Sequence, residues 1–154
     1  MPPVTESISL PDDHIYTDHV HPWEEIVEYV NSNQVSNLRR NRDQQAVYAK
    51  WTRETKEEYG TIANYLIKTK IQYPEGVTYL VLTNDFPYSV DPGIDHILIW
   101  SKTPMAAEQV LEILEERYGS ETWEWSFFVN PPQWQSVPSL PHTHVFLRKR
   151  ARDE

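Results

Sequence analysis

The chain contains no cysteine. That absence removes disulfides, thiol nucleophiles and thiolate-bound zinc or iron–sulfur centres, and leaves histidine and carboxylates as the ligands any metal would use. Glycine is almost as scarce, with four residues, Gly60, Gly76, Gly93 and Gly119. Their spacing can write neither a G-x-x-x-x-G-K phosphate loop nor the G-x-G-x-x-G turn of a dinucleotide-binding fold. Positive charge is in deficit, with Lys+Arg 14 against Asp+Glu 23 and a net charge of -9. A protein that gains affinity by neutralising a phosphate backbone clusters the opposite charge, so no nucleic-acid partner is expected. The short run Arg148, Lys149, Arg150 and Arg152 does not reverse that balance. No apolar stretch approaches the roughly 20 residues of a spanning helix, and MPPVTESISLPDD lacks the charged-then-apolar pattern of a secretory signal. The expectation is a soluble cytoplasmic protein with no membrane partner.

What is present suits one domain, since 154 residues can bury a continuous core. Residues 1–21 mix Pro, Asp, His and Ser with few apolar residues, and are expected to form a flexible arm with no core role. A single domain over 22–150 follows. Its first part, 22–70, reads as helical. Trp23, Ile26, Val27 and Val30 recur at helical spacing after Pro22, and a stripe of Val47, Trp51, Tyr59, Ile62, Leu66 and Ile67 runs through 43–70 with a break at Gly60. SNLRRNRDQQ between them reads as a polar link or short helix anchored by Leu38. The second part changes period. Val77 to Leu82, His96 to Trp100, Trp123 to Val129 and His142 to Leu147 read as strands, and a helix over 104–118 ends at Gly119. Helices first, then strand, strand, helix, strand, strand indicates an α+β domain with a mostly antiparallel sheet.

The strongest chemical signal is His142-Thr143-His144, because a strand places both imidazoles on one face with Thr143 opposite. Neighbouring imidazoles suit nucleophilic or acid–base work, with one ring oriented through its second nitrogen, although two surface histidines would look the same. His96 shares a strand face with Leu98 and Trp100. Asn130, Gln135 and Ser136 could donate to an anion or bond the proline-broken backbone, Asp85 could accept from sugar hydroxyls or cap a turn, and Lys102 could contact an anion. Trp123, Trp125 and Trp134 could line an aromatic pocket or belong to the core. His14, His19 and His21 with Asp12, Asp13 and Asp18 carry metal-ligand chemistry, but a flexible arm does not preorganise a site, so no metal or cofactor is expected.

Two resemblances extend this reading. RRNRDQQAVYAKWTRETKEEYGTIANYLI, YPEGVTYLVLTNDFPYSVDPGIDHILIWSK and FFVNPPQWQSVPSLPHTHVFLR resemble the fungal GlcNAc-induced-protein-like family, whose members are small and mostly uncharacterised. Residues 77–148 are also similar to the histidine-triad superfamily of nucleotide hydrolases and nucleotidyl transferases. Asp85-Phe86-Pro87, Pro92-Gly93 with His96, Val129-Asn130, Gln135-Ser136-Val137 and His142-Thr143-His144 with Arg148 carry that similarity. It implies His142 as the phosphate-attacking nucleophile, His144 as the neighbour orienting it, Asp85 on ribose hydroxyls, Asn130 on the loop and phosphate, and Ser136 on a further phosphate oxygen. It also implies a homodimer, since triad proteins often pair.

The sequence departs from the triad pattern in three places. Leu140 stands where the first triad histidine belongs, Ile94-Asp95 widen the P-G-H spacing, and Pro131-Pro132-Gln133-Trp134 replace a glycine-rich loop. Prolines have no N–H to offer an anion. The leading expectation is therefore a small-molecule enzyme acting on a nucleotide-like or phosphorylated substrate. Its rivals are a cofactor-free isomerase, lyase or cyclase of fungal specialised metabolism using the same histidines as acid and base, and a non-catalytic ligand-binding or regulatory protein.

Overall fold

A computed structural model describes residues 15–130, 137 and 139–151. Helix α1, Trp23–Asn31, starts after the extended Pro22, carries Glu24 and Glu25 in its first turn, where the helix dipole favours them, and buries Trp23 and Ile26. A single 3-10 turn, Val35–Asn37, follows and buries Val35, and Leu38 beyond it is buried as well. Helix α2, Arg42–Tyr59, is capped by the Asn41 side chain, which accepts the Gln44 N–H at 2.8 Å. It ends at Gly60, whose φ of +84° is open to glycine at little cost, and Thr61 Oγ1 then accepts the Asn64 N–H to start α3, Ile62–Thr69.

The expected stripe on these two helices is corrected in part. Val47 and Ile67 face solvent, and the buried side of α2 is made by Gln45, Ala49, Thr52 and Thr55. The inward face is thus largely polar, so apolar spacing alone misjudged which side turns inward.

The strands are β1 (Tyr79–Thr83), β2 (Asp95–Ser101), β3 (Trp123–Phe128) and β4 (His142–Lys149), in the order β1-β2-β4-β3 with every pairing antiparallel. Helix α4, Ala107–Arg117, lies between β2 and β3 in the chain. It begins three residues later than the expected 104, where Gln109 Oε1 accepts the backbone N–H of Ala106. This is an α+β architecture, as the order of periodicities implied.

Strand alternation divides the core into two sides. On one, Ile97, Ile99, Val145 and Leu147 pack with Val110, Ile113 and Leu114 of α4, and Trp123, Trp125 and Phe127 join them. On the other, Phe128 and Phe146 pack with Trp23 and Ile26 of α1, and Trp100 packs with Ile62 and Leu66 of α3. The N-terminal helices thus cover the sheet face that carries the histidines.

His21 departs from the expectation of an arm without a core role. It is 3% exposed, forms a bridge to Val90, and exchanges backbone hydrogen bonds with Ser89 and Asp91.

Candidate functional site

The register of the two central strands assembles the site. Trp100 stands opposite His142, Leu98 opposite His144, and His96 opposite Phe146, so three imidazoles from positions far apart in sequence share one face. The His96 and His144 rings are 5.2 Å apart and those of His142 and His144 are 5.6 Å apart, centroid to centroid. Asn130, just beyond β3, places its carboxamide 3.1 Å from His144 Nε2.

Hydrogen bonding fixes the protons on this row. The Tyr88 backbone N–H can only donate, so His96 Nδ1, at 3.2 Å, accepts and that ring carries its proton on Nε2. His96 Nε2–H then donates to His144 Nδ1 across 3.0 Å. The His144 proton is left on Nε2, which faces the Asn130 carboxamide 3.1 Å from Nδ2; a half-turn of that amide presents its oxygen as the acceptor that completes the chain. At the other end of the row, Leu140 C=O can only accept, so His142 Nδ1–H donates to it at 2.9 Å and leaves the lone pair on Nε2.

Electrostatics keeps all three rings neutral. Burial, with the Arg40 charge adding to it, pushes the His96 pKa down to about 3. Burial, then the neighbouring His96, His142 and Arg40, holds His144 well below the ordinary histidine range. His142 is also lowered by burial, against a smaller opposing effect of its bond to Leu140. Arg40 is itself held by donation from Nε to the Phe86 carbonyl at 2.7 Å and by the faces of Tyr48 and Tyr88. The rings are further clamped by aromatic neighbours, Phe128 stacked on His144 at 5.0 Å and Trp100 tilted against His142 at 4.5 Å.

The residues singled out from sequence fall into three groups. His142, His144, His96 and Asn130 come together. The hydrogen bond orienting His142 comes from the Leu140 carbonyl, whereas His144 gives its nitrogens to His96 and Asn130. Asp85 follows Asn84 of the site, yet its carboxylate is paired with Lys70. Lys102 lies over the Tyr73 ring and Arg148 pairs with Glu124, so neither cation is committed to the imidazoles. Trp123 and Trp125 belong to the opposite face, packed with α4, and do not line a pocket beside the histidines. Trp134, Gln135 and Ser136 lie outside the described residues, as do His14, Asp12 and Asp13.

Sequence reasoning missed Asn84, Tyr88, Trp100 and Arg40. Asn84 is buried, bonds the Phe86 N–H through Oδ1 at 2.8 Å and touches the His96 ring through Nδ2. Its place directly before Asp85 was the available signal, whereas Arg40 lay hidden in a stretch that read as a polar link. Ligands suited to a metal gather apart from this row, at His19, His21 and Glu25.

A family model described as "Protein of unknown function (DUF3605)" matches residues 22–148. The chain is 26% identical to "Uncharacterized protein YPL067C" of Saccharomyces cerevisiae, over 81% of this chain and 77% of that one. It is likewise 26% identical to "N-acetylglucosamine-induced protein 1" of Candida albicans, over 82% of this chain and 67% of that one. Among solved structures, the one titled "Crystal Structure of HTC1" superposes with a TM-score of 0.62 at 26% identity, covering 82% of this chain and 84% of that chain. Its fold is therefore shared. No described helix is long and apolar enough to cross a membrane.

Proposed function

The chain belongs to the DUF3605 family, whose description assigns no activity, and from its geometry we propose a small-molecule enzyme that uses His142 Nε2 as nucleophile toward a phosphorylated or nucleotide-like substrate. The observation that carries this reading is the bond from His142 Nδ1–H to the Leu140 carbonyl. It fixes the tautomer, aims the lone pair of Nε2 away from the backbone, and stabilises the ring when Nε2 becomes bonded and the imidazole gains positive charge. In the first step an N–P bond forms at Nε2 and the bond from phosphorus to the leaving group breaks, the leaving group departing with a proton from solvent. Water then attacks phosphorus, releases phosphate or nucleotide, and returns the neutral ring.

Two further features support the reading. A neutral imidazole is the nucleophilic form, and burial holds His142 neutral at pH values where a free histidine would begin to charge. Leu140 in place of the first triad histidine does not remove the group that holds His142, because that group is a backbone carbonyl, which any residue supplies.

A second reading, general acid–base chemistry on an apolar or aromatic substrate by the same ring, draws on the wall around His142. Trp100 lies tilted against it at 4.5 Å, and Leu98, Val137 and Leu140 pack with Trp100.

The test is a turnover screen with dinucleotide polyphosphates, nucleoside phosphoramidates, nucleotide sugars and amino-sugar phosphates. The last two enter because the name of the Candida relative records induction by N-acetylglucosamine. His142→Ala is expected to lower turnover at least about a hundredfold with folding intact, and intact-mass analysis of quenched wild type should show an acid-labile phosphoryl or nucleotidyl adduct on His142. A His142-dependent activity without an adduct favours the acid–base reading. Turnover unchanged in His142→Ala overturns both.

A further inference from the structure

A second group of convergent imidazoles lies at the entry to the fold. His19 Nε2 is 2.9 Å from Glu25 Oε2, His21 Nδ1 is 2.5 Å from Glu25 Oε1, and the three ligand atoms all fall within 4.8 Å of one another. They lie on the wall of a polar cleft of about 500 Å³, together with Tyr16, Tyr29 and Arg39.

The chain holds this group from several directions. Glu25 is fixed in the first turn of α1. The His21 N–H donates to Ser89 C=O at 2.8 Å and its carbonyl accepts from the Asp91 N–H at 3.1 Å. Ser89 Oγ–H donates to the His19 carbonyl at 3.0 Å, and the His19 N–H donates to Thr17 Oγ1 at 3.0 Å. The segment is thus pinned by loop 89–91 on one side and by α1 on the other, which supplies the preorganisation that a free arm would lack.

We propose that His19, His21 and Glu25 bind a divalent transition metal of the zinc type, with the fourth position open to the cleft. Two imidazole nitrogens and one carboxylate oxygen form a ligand set that zinc accepts in tetrahedral sites carrying an exchangeable water. Metal–ligand distances near 2.1 Å in a tetrahedron put the ligand atoms about 3.4 Å apart, so the Glu25 oxygen that ligates opens by under about 1 Å from the imidazole it now bonds, and the other separations, all within 4.8 Å, close by at most about 1.4 Å.

Proton bookkeeping gives the site a distinctive signature. The Arg39 backbone N–H donates to His21 Nε2 at 3.3 Å, so without metal the His21 proton is on Nδ1 and points at Glu25. A metal taking the Nδ1 lone pair moves that proton to Nε2, where it faces the Arg39 N–H and ends that contact. The Arg39 amide therefore reports on coordination through His21, although Arg39 supplies no ligand.

The experiment titrates the untagged full-length chain with zinc(II) by calorimetry and with cobalt(II) by visible absorption. A parallel zinc titration follows backbone amides by NMR. One equivalent is expected to bind, with tetrahedral cobalt bands and a shift of the Arg39 amide. Both His19→Ala and Glu25→Gln should weaken binding at least about tenfold while leaving the far-UV spectrum unchanged, since the His19 side chain is 55% exposed. Three results would each overturn the site: no binding, binding equally tight in both variants, or binding that leaves the Arg39 amide in place.

Discussion

At the scale of single residues, the molecule places its polarity where burial makes it costly. His96 and His144 are each 5% exposed and bonded to each other, and each is satisfied on its other nitrogen by Tyr88 or Asn130. Such a chain stabilises only while it is complete. His144→Ala leaves His96 Nε2–H without an acceptor and a ring-sized void against Phe128 and Tyr88. The expected loss is about 3 kcal/mol in denaturant unfolding, and a loss under about 0.5 kcal/mol would show that the pair is not held as described. Thr52 is the opposite case. It is 2% exposed and its Oγ1 has no hydrogen-bond partner among the described residues. Thr52→Val keeps the shape and removes the stranded hydroxyl, so it should raise stability by roughly 1 kcal/mol, read as a higher denaturant midpoint at unchanged slope.

At the scale of elements, the sequence was most legible where period and punctuation agree. Asn41 and Thr61 cap their helices, Gly60 and Gly119 close theirs at positive φ, and alternation put His142 and His144 on one strand face. It was least legible where a partner decides the outcome. The spacing of Val47 and Ile67 fits a helix, but which side of the helix is buried depends on where the sheet lies, and both residues face solvent. The contact between His96 and His144 spans 48 positions and follows from strand register, which no local pattern reveals. Spacing put His142 and His144 on one face, and the similarity to triad proteins made His144 the orienting neighbour; the bond to His142 Nδ1 is made instead by the Leu140 carbonyl, which leaves no mark in the sequence. The same reasoning explains the N-terminal histidines. Glu25 stands outside the apolar spacing of α1, and the bridge between His21 and Val90, far apart in sequence, helps bring His19 and His21 onto it.

At the scale of the whole molecule, the buried imidazoles couple folding to pH. In the folded chain His96 binds a proton only near pH 3, and His144 is also held well below the ordinary range, whereas in the unfolded chain both take up protons near pH 6.5. Between about pH 6.5 and 3 the unfolded state therefore binds more protons than the folded one, and stability rises with pH across that window. Above it both states are neutral at these positions and the contribution is flat. Each group can add a slope of up to roughly 1.4 kcal/mol per pH unit, and they sit on the two central strands, which pair on both sides, so no local opening at a sheet edge relieves the strain. Acidification from pH 7 to pH 5 should accordingly lower the urea midpoint of the wild type steeply and cooperatively. In His96→Phe, which removes the titrating ring beside Phe146, the slope of stability against pH should fall by about a third to a half, because one of the three lowered imidazoles no longer titrates while His144 and His142 remain. An unchanged slope in that variant would assign the acid sensitivity to groups outside the histidine row.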